Sequence, residues 1–163
     1  STEYALMHKY GDKVLDSSIK LTEKTKVFEV KILALLAEGK SLEAVKFAME
    51  VLRYFGISFP SKLSKVVLLK ELIKFKLFIA GKKIEQFANM GKMENEEMKS
   101  VMRILTTVSS SAYLAAPEIF VLIVLEQMKI SIKYGKPIYP PREYAKDDYL
   151  LLSQKVLNEI QKL

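Results

Sequence analysis

Apolar residues recur along this chain at helical spacing. Phe28, Ile32, Leu35 and Leu36 fall at i, i+4, i+7 and i+8, which is one face of a helix. Val27, Val30, Ala34 and Ala37 add a second apolar side. A helix over ~23–38 is therefore expected to pack on two faces. Gly39 follows it, as a C-terminal glycine should. Ser41 suits the N-cap of a helix over ~42–55 with Leu42, Val45, Met49 and Leu52 inward. Gly56 ends that helix, and residues 57–60 read as an extended link. Residues ~62–80 form a helix rich in both lysine and apolar residues, stopped by Gly81. Residues 82–94 read as irregular, with one helical turn at 84–87.

Asn95 caps the next helix, ~96–111, with Met98, Val101, Met102, Leu105 and Val108 inward. Pro117 fits the first turn of a helix that reaches about Tyr134. Its polar stripe is Glu126, Lys129 and Lys133, and Gly135 and Pro137 end it. A helix over ~12–22 opens the chain. A last one, ~142–162, follows Pro140 and Pro141 and carries Tyr149, Leu152, Val156 and Ile160 at i, i+3, i+7 and i+11. No stretch of strand length alternates strictly between turn signals. The expected fold is all-α. Short connections make successive helices antiparallel neighbours. They are expected to stack as a short TPR-like α-solenoid, with a compact helical bundle as the alternative.

Residues 28–60 form one helix–turn–helix close in length to a tetratricopeptide repeat. Gly39 supplies the turn. Ala44 and Ala48 are small where the second helix must approach the first, and Phe28, Leu35 and Leu52 fill the space around them. Ile32 stands where the first helix of such a repeat usually has a small residue. The order of the pieces carries a further resemblance. Phe55-Gly56 and Pro60, then Ile84 to Met93, then Ala116-Pro117 resemble the helical region that follows the AAA-type ATPase domain in large bacterial signalling proteins. Those proteins combine serine/threonine kinase, GAF and histidine-kinase modules. The likeness runs from Lys24-Thr25-Lys26-Val27-Phe28-Glu29 to Gly135-Lys136-Pro137, residues 24–137. After Pro141 this chain departs from that pattern, and residues 142–163 read as a capping helix. The resemblance implies a single all-helical domain over 1–163, a fragment of a larger signalling protein. It would be a non-catalytic module for protein–protein interaction or for regulating attached domains. The kinase and ATPase modules themselves have no counterpart here, so no active-site residue carries over.

Composition narrows the chemistry. In 163 residues there is no Cys, no Trp and one His, which removes disulfide scaffolds, thiolate nucleophiles and Cys-ligated metals. His8 has no Ser or carboxylate at a defined spacing and reads as a surface histidine. The pairs Glu96-Glu97 and Asp147-Asp148 are adjacent, so on a helix they diverge by about 100°. Their placement near helix starts fits the macrodipole. The stretch ALLAEGKS at 34–41 imitates a phosphate-binding loop, and IFVLIVLE at 119–126 imitates the strand that accompanies one. The loop interior, however, is Leu-Leu-Ala-Glu in phase with a helical stripe, where a phosphate cradle wants glycine after a strand. It reads as a helix end. No catalytic residue, metal site or cofactor is expected, and the region is expected not to be an enzyme.

Charge adds one candidate surface. The net charge is +7, and only Arg53, Arg103 and Arg142 among the 26 basic residues are arginines. Lys62, Lys65, Lys70, Lys74, Lys76, Lys82 and Lys83 cluster with only Glu71 opposing them. The cluster reads first as a solvated face, then as a surface for an acidic protein partner, and last as a nucleic-acid surface. Phosphate and base recognition favour arginine, and the cluster has none. The alternative function is accordingly a small basic nucleic-acid-binding protein. The methionines at 90, 93, 98 and 102, with Phe87, could form an adaptable apolar surface but read first as core. The longest apolar run, Ile119–Leu125, spans about 10 Å as a helix, too little for a ~30 Å hydrocarbon core. Residues 1–20 lack the pattern of a secretory signal. The expected location is cytoplasmic, without membrane attachment.

Overall fold

A computed structural model of the chain describes residues 21–60, 62–80 and 91–137. These form five helices: α1 (Leu21–Ala37), α2 (Ser41–Tyr54), α3 (Lys65–Ile79), α4 (Glu96–Ala115) and α5 (Pro117–Tyr134). No strand occurs among the described residues. The fold is all-α. The helix expected over ~142–162, the turn at 84–87 and Gly81 lie outside the described residues. So does the helix expected over ~12–22, except for Leu21 and Thr22, which belong to α1, so no break separates residue 22 from residue 23.

The α1–α2 turn is closed by the backbone. Gly39 adopts φ +73°. Its N–H donates to the Leu36 carbonyl at 3.0 Å, and the Lys40 N–H donates to the Leu35 carbonyl at 2.9 Å. This pair of bonds is a Schellman motif, which requires a left-handed residue at its centre. Gly56 (φ +74°) repeats it at the end of α2. There the Ile57 N–H reaches back to the Leu52 carbonyl at 3.0 Å. Ile57 packs on the core, supplying the apolar contact that accompanies such a cap. One expectation fails at this turn. Ser41 is the first residue of α2 rather than its cap. Lys40 holds the cap position without a side-chain bond to the helix start, because the Schellman turn leaves one residue fewer between the helices.

Two helix starts are capped by side chains. The Asn95 Oδ1 accepts from the Met98 N–H at 2.9 Å, and the Ser64 Oγ accepts from the Val67 N–H at 3.3 Å. Pro117 opens α5, where an amide N–H has no partner to lose. Ala116 alone joins α4 to α5, because α4 runs on to Ala115. The sequence Ser109-Ser110-Ser111 does not stop it. Ser109 Oγ turns back to the Leu105 carbonyl at 2.6 Å, and Ala112 is buried in the core. Tertiary burial overrides the low helix propensity of the serines.

The core explains the helix sequences. α1 and α2 pair through Phe28, Phe47 and Tyr54. Phe28 meets the Phe47 ring edge-on at 6.1 Å and stacks on Tyr54 at 6.5 Å. Ala44 and Ala48 are fully buried, as close approach of two helices requires. α4 then lies against both members of that pair and against α5. An ion pair ties it to α1: Arg103 Nε donates to Glu29 Oε1 at 2.9 Å. α5 is covered on opposite sides. Ile123 and Ile130 join the cluster of α1, α2 and α4, while Leu122, Val124, Leu125 and Met128 join a second cluster around Phe75 of α3. Burial all round explains the unbroken run Ile119–Leu125. No helix among the described residues is long and apolar enough to cross a membrane. Met93 and Met102 are buried and Met98 packs against the core, so the described methionines are core residues.

The α4–α5 hairpin is also clamped at its open end. The Lys136 N–H donates to the Gly91 carbonyl at 2.8 Å, and the Met93 N–H to the Lys136 carbonyl at 2.8 Å. Lys92 and Lys136 form a parallel β-bridge. Gly135 makes this possible. It sits at φ +96°, ψ 177°, a region only glycine occupies readily. A Cβ there would lie 2.6 Å from the Gly91 carbonyl oxygen.

The three glycines are therefore unequal. Nothing lies within 4 Å of a Cβ built at Gly39 or Gly56, so alanine there pays only for φ, about 1 kcal/mol each. Gly135→Ala adds a backbone clash and is expected to cost about 3 kcal/mol. Urea unfolding of the three single variants, followed by circular dichroism, checks the order; equal losses at all three positions would remove the clamp's special role.

Candidate functional site

The candidate basic surface lies on α3 and its approach. Lys62, Lys65, Lys70, Lys74 and Lys76 are all exposed; Lys82 and Lys83 lie outside the described residues. Glu71 is the one carboxylate on α3. Its Oε1 accepts from Lys74 Nζ at 2.7 Å, so it offsets one lysine at one edge only.

α3 is held to the rest of the molecule by one face. Phe75 is fully buried against α5, with Leu68, Leu72 and Ile79 partly buried beside it. The extended link before it helps: Phe59 packs against both apolar clusters. The opposite face of α3 is also apolar. Val66, Leu69, Ile73 and Leu77 are 76%, 50%, 51% and 70% exposed. They follow the spacing i, i+3, i+7 and i+11, so at about 100° per residue they span about 80° of the helix surface. On the same count Lys65 and Lys76 line one edge of that stripe, and Lys70 and Lys74 the other. The surface is an apolar seam between two rows of lysine, not a uniform charged face. The lysines alternate with apolar residues in the sequence, and that interleaving concealed the seam. The signal that would have revealed it is two apolar series on one helix, 66/69/73/77 and 68/72/75/79.

A second exposed apolar face occurs on α1. Val27 and Val30 are 58% and 66% exposed, and Leu33, Ala34 and Ala37 share the exposure. The expected packing of α1 on two faces is thus not found. α2 and α4 both cover the side bearing Phe28, Ile32 and Leu35.

The remaining candidate chemistry resolves into local structure. Residues 34–41 are the end of α1, its turn and the first residue of α2. The Glu38, Gly39 and Lys40 N–H groups donate to the Ala34, Leu36 and Leu35 carbonyls. A phosphate cradle needs such groups free and aimed at the ligand. Lys40 Nζ instead pairs with Glu38 at 2.8 Å, and that bond holds the Glu38 carboxyl below its ordinary value. Glu96 is likewise lowered by its hydrogen bond to Lys99. Both acids stay charged to lower pH, as expected for surface partners of lysine. Glu96 and Glu97 lie in the first turn of α4, where the helix dipole favours them. Arg103 is occupied by Glu29 and by Ser100, whose Oγ accepts at 3.1 Å. Among the described residues no group of three or more His, Asp or Glu could hold a metal ion. His8, Asp147 and Asp148 lie outside them.

Two polar side chains of α5 are buried. Gln127 Nε2 donates to Thr106 Oγ1 of α4 at 3.1 Å. Ser131 Oγ is buried without a hydrogen-bond partner. Comparison of the chain with protein-family models, with curated proteins and with solved structures found no match.

The attachment of α3 by one buried ring has a measurable consequence. Phe75→Ala is expected to cost about 3 kcal/mol. Amide exchange should quicken over 65–79 well before it does over α4. Exchange that rises uniformly across all five helices would refute the single-anchor description.

Proposed function

We propose that this chain is a non-catalytic helical module that binds protein, or regulates attached domains, in a bacterial signal-transduction protein. The observation that carries the reading is the packing order. The α1–α2 hairpin is followed in space by the α4–α5 hairpin, with α4 seated against both α1 and α2. Successive αα-units in a TPR-like stack are built this way, and such stacks recognise partners by shape and side-chain anchors. The resemblance over residues 24–137 points in the same direction, as do the exposed apolar faces of α1 and α3. A cytoplasmic location, the absence of a cofactor and the absence of catalysis go with this reading.

The second reading, a small nucleic-acid-binding protein, draws on the exposed lysines of α3. Two observations weigh against it. The surface has no arginine to read bases or clamp phosphates, and its centre is aliphatic; the exposed aromatic of α3, Phe78, lies outside the stripe, beyond the row of Lys70 and Lys74.

The two readings separate in one experiment. The whole chain is titrated into a fluorescent duplex DNA and into a fluorescent single-stranded RNA at low and at physiological salt. The module reading expects at most weak binding that salt abolishes. Saturable binding at physiological salt, with a log–log salt slope steeper than about −3, would replace it with the nucleic-acid reading. Calorimetry with ATP is expected to give no stoichiometric heat; a one-to-one isotherm would overturn the non-catalytic assignment.

A further inference from the structure

We infer that the outer face of α3 is a docking seam for a single amphipathic helix of a protein partner, apolar along its centre and acidic along both flanks. This rests on the interaction-module reading above and names the partner's chemistry.

The width of the seam selects a helix. Val66, Leu69, Ile73 and Leu77 cover about 80° of α3, the narrow stripe through which one helix meets one other. A helix lying in a membrane interface instead buries a broader apolar face, commonly with Trp or Phe in it. This stripe is aliphatic throughout, and the aromatic Phe75 faces the opposite way, into the core. The spacing 3, 4, 4 averages close to one helical period, so the stripe runs straight along the axis and a partner helix can follow it end to end.

Charge selects the partner's flanks. Lys65 and Lys76 border one side of the seam and Lys70 and Lys74 the other. Only Lys74 has an acidic neighbour on α3, at Glu71. A helix with Glu or Asp on both sides of its apolar stripe would place carboxylates within reach of both rows. A second copy of this chain fits badly, because pairing two such seams would set four lysine rows against one another. The stems of the lysines would cover the outer rim of the contact while their ammonium groups stay wet.

The test uses the full 163-residue chain. The probe is a fluorescent synthetic helix of about 18 residues, long enough to hold helical structure. It carries Leu at i, i+3, i+7 and i+11 and Glu on both flanks. Expected is saturable binding with Kd on the order of 10–100 μM, as suits so small an interface. Ile73→Ser and Leu69→Ser should each weaken it about tenfold. The double variant Lys70→Glu/Lys76→Glu should weaken it by a similar factor. All these positions are exposed, so thermal unfolding should be nearly unchanged, which separates lost docking from lost folding. A matched peptide with Lys flanks should not bind. Equal binding of both peptides would overturn the inference, as would no binding of the acidic one or indifference to Ile73→Ser. Ile73-dependent partition onto vesicles of roughly one-third phosphatidylserine, without peptide binding, would assign the seam to a membrane and overturn it. So would an Ile73-dependent dimer in light scattering. Failure of the peptide alone leaves the wider module reading intact, since the nucleic-acid and ATP titrations decide that separately.

Discussion

The structure depends on the double-sided burial of α5. Its sequence offers few polar positions between Pro117 and Tyr134, so water must be excluded from nearly its whole circumference. One side is covered by α4, which carries the α1–α2 hairpin with it. Among the described residues the other side is covered by α3 and the link before it, through Phe59 and Leu63. That asymmetry sets the rest. The covered side has a thick core in which small residues, Ala44, Ala48 and Ala112, let helices approach. The thin side is one helix deep. A single helix used as a cover has a back, and the back of α3 carries the exposed stripe of Val66, Leu69, Ile73 and Leu77.

The order of the hairpins follows from chain-level constraints on their ends. At Gly39 and Gly56 the chain turns by closing backbone hydrogen bonds on itself, which needs no tertiary support. At Gly135 the turn is different. It brings residues 135–136 beside 91–93 and so joins the start of the α4–α5 hairpin to its finish. The hairpin is thereby closed at both ends, by Ala116 at one and the backbone bridge at the other. Helices held at both ends cannot slide past each other, and this fixes the register of α4 against α5. The Glu29–Arg103 pair links α4 to α1. Partly exposed, it adds orientation more than stability.

Much of this was legible in the residues, and what was not has a physical explanation. Helix ends at Gly39, Gly56, Asn95 and Pro117 could be read because each is set by local backbone chemistry. The inward positions of α4 could be read because that helix keeps a clean period. On α2 Val45 and Leu52 are buried as expected, but Leu42 is 44% exposed and Ala44, Ala48 and Val51 are buried in its stead, because the face that meets α1 and α4 is centred on the small residues. The extension of α4 through its serines could not, since it is decided by burial of Ala112 against a distant helix. The packing of α1 was misjudged for a related reason. Two apolar sides in the sequence say that a helix could be covered twice, not that neighbours exist to cover it. On α3 the same ambiguity ran the other way. Seven lysines in one stretch read as a charged surface, and the apolar series between them became visible only once Phe75 showed which side was core.

The choice of lysine around the α3 seam is coherent with its position. An exposed aliphatic stripe on a helix invites association with any other apolar surface, including its own copy. Rows of like charge on both edges raise the energy of self-pairing while leaving the stripe open to a surface of opposite charge. Arginine would serve the repulsion equally well. It would also bind phosphate and stack on bases, drawing the surface toward nucleic acid. Lysine keeps a compact, strongly hydrated charge at the end of a flexible apolar stem. It can therefore shield the stripe when the partner is absent and withdraw when one is present. Under the proposed docking, the lysine excess of α3 sets which contacts the helix refuses as well as which it accepts.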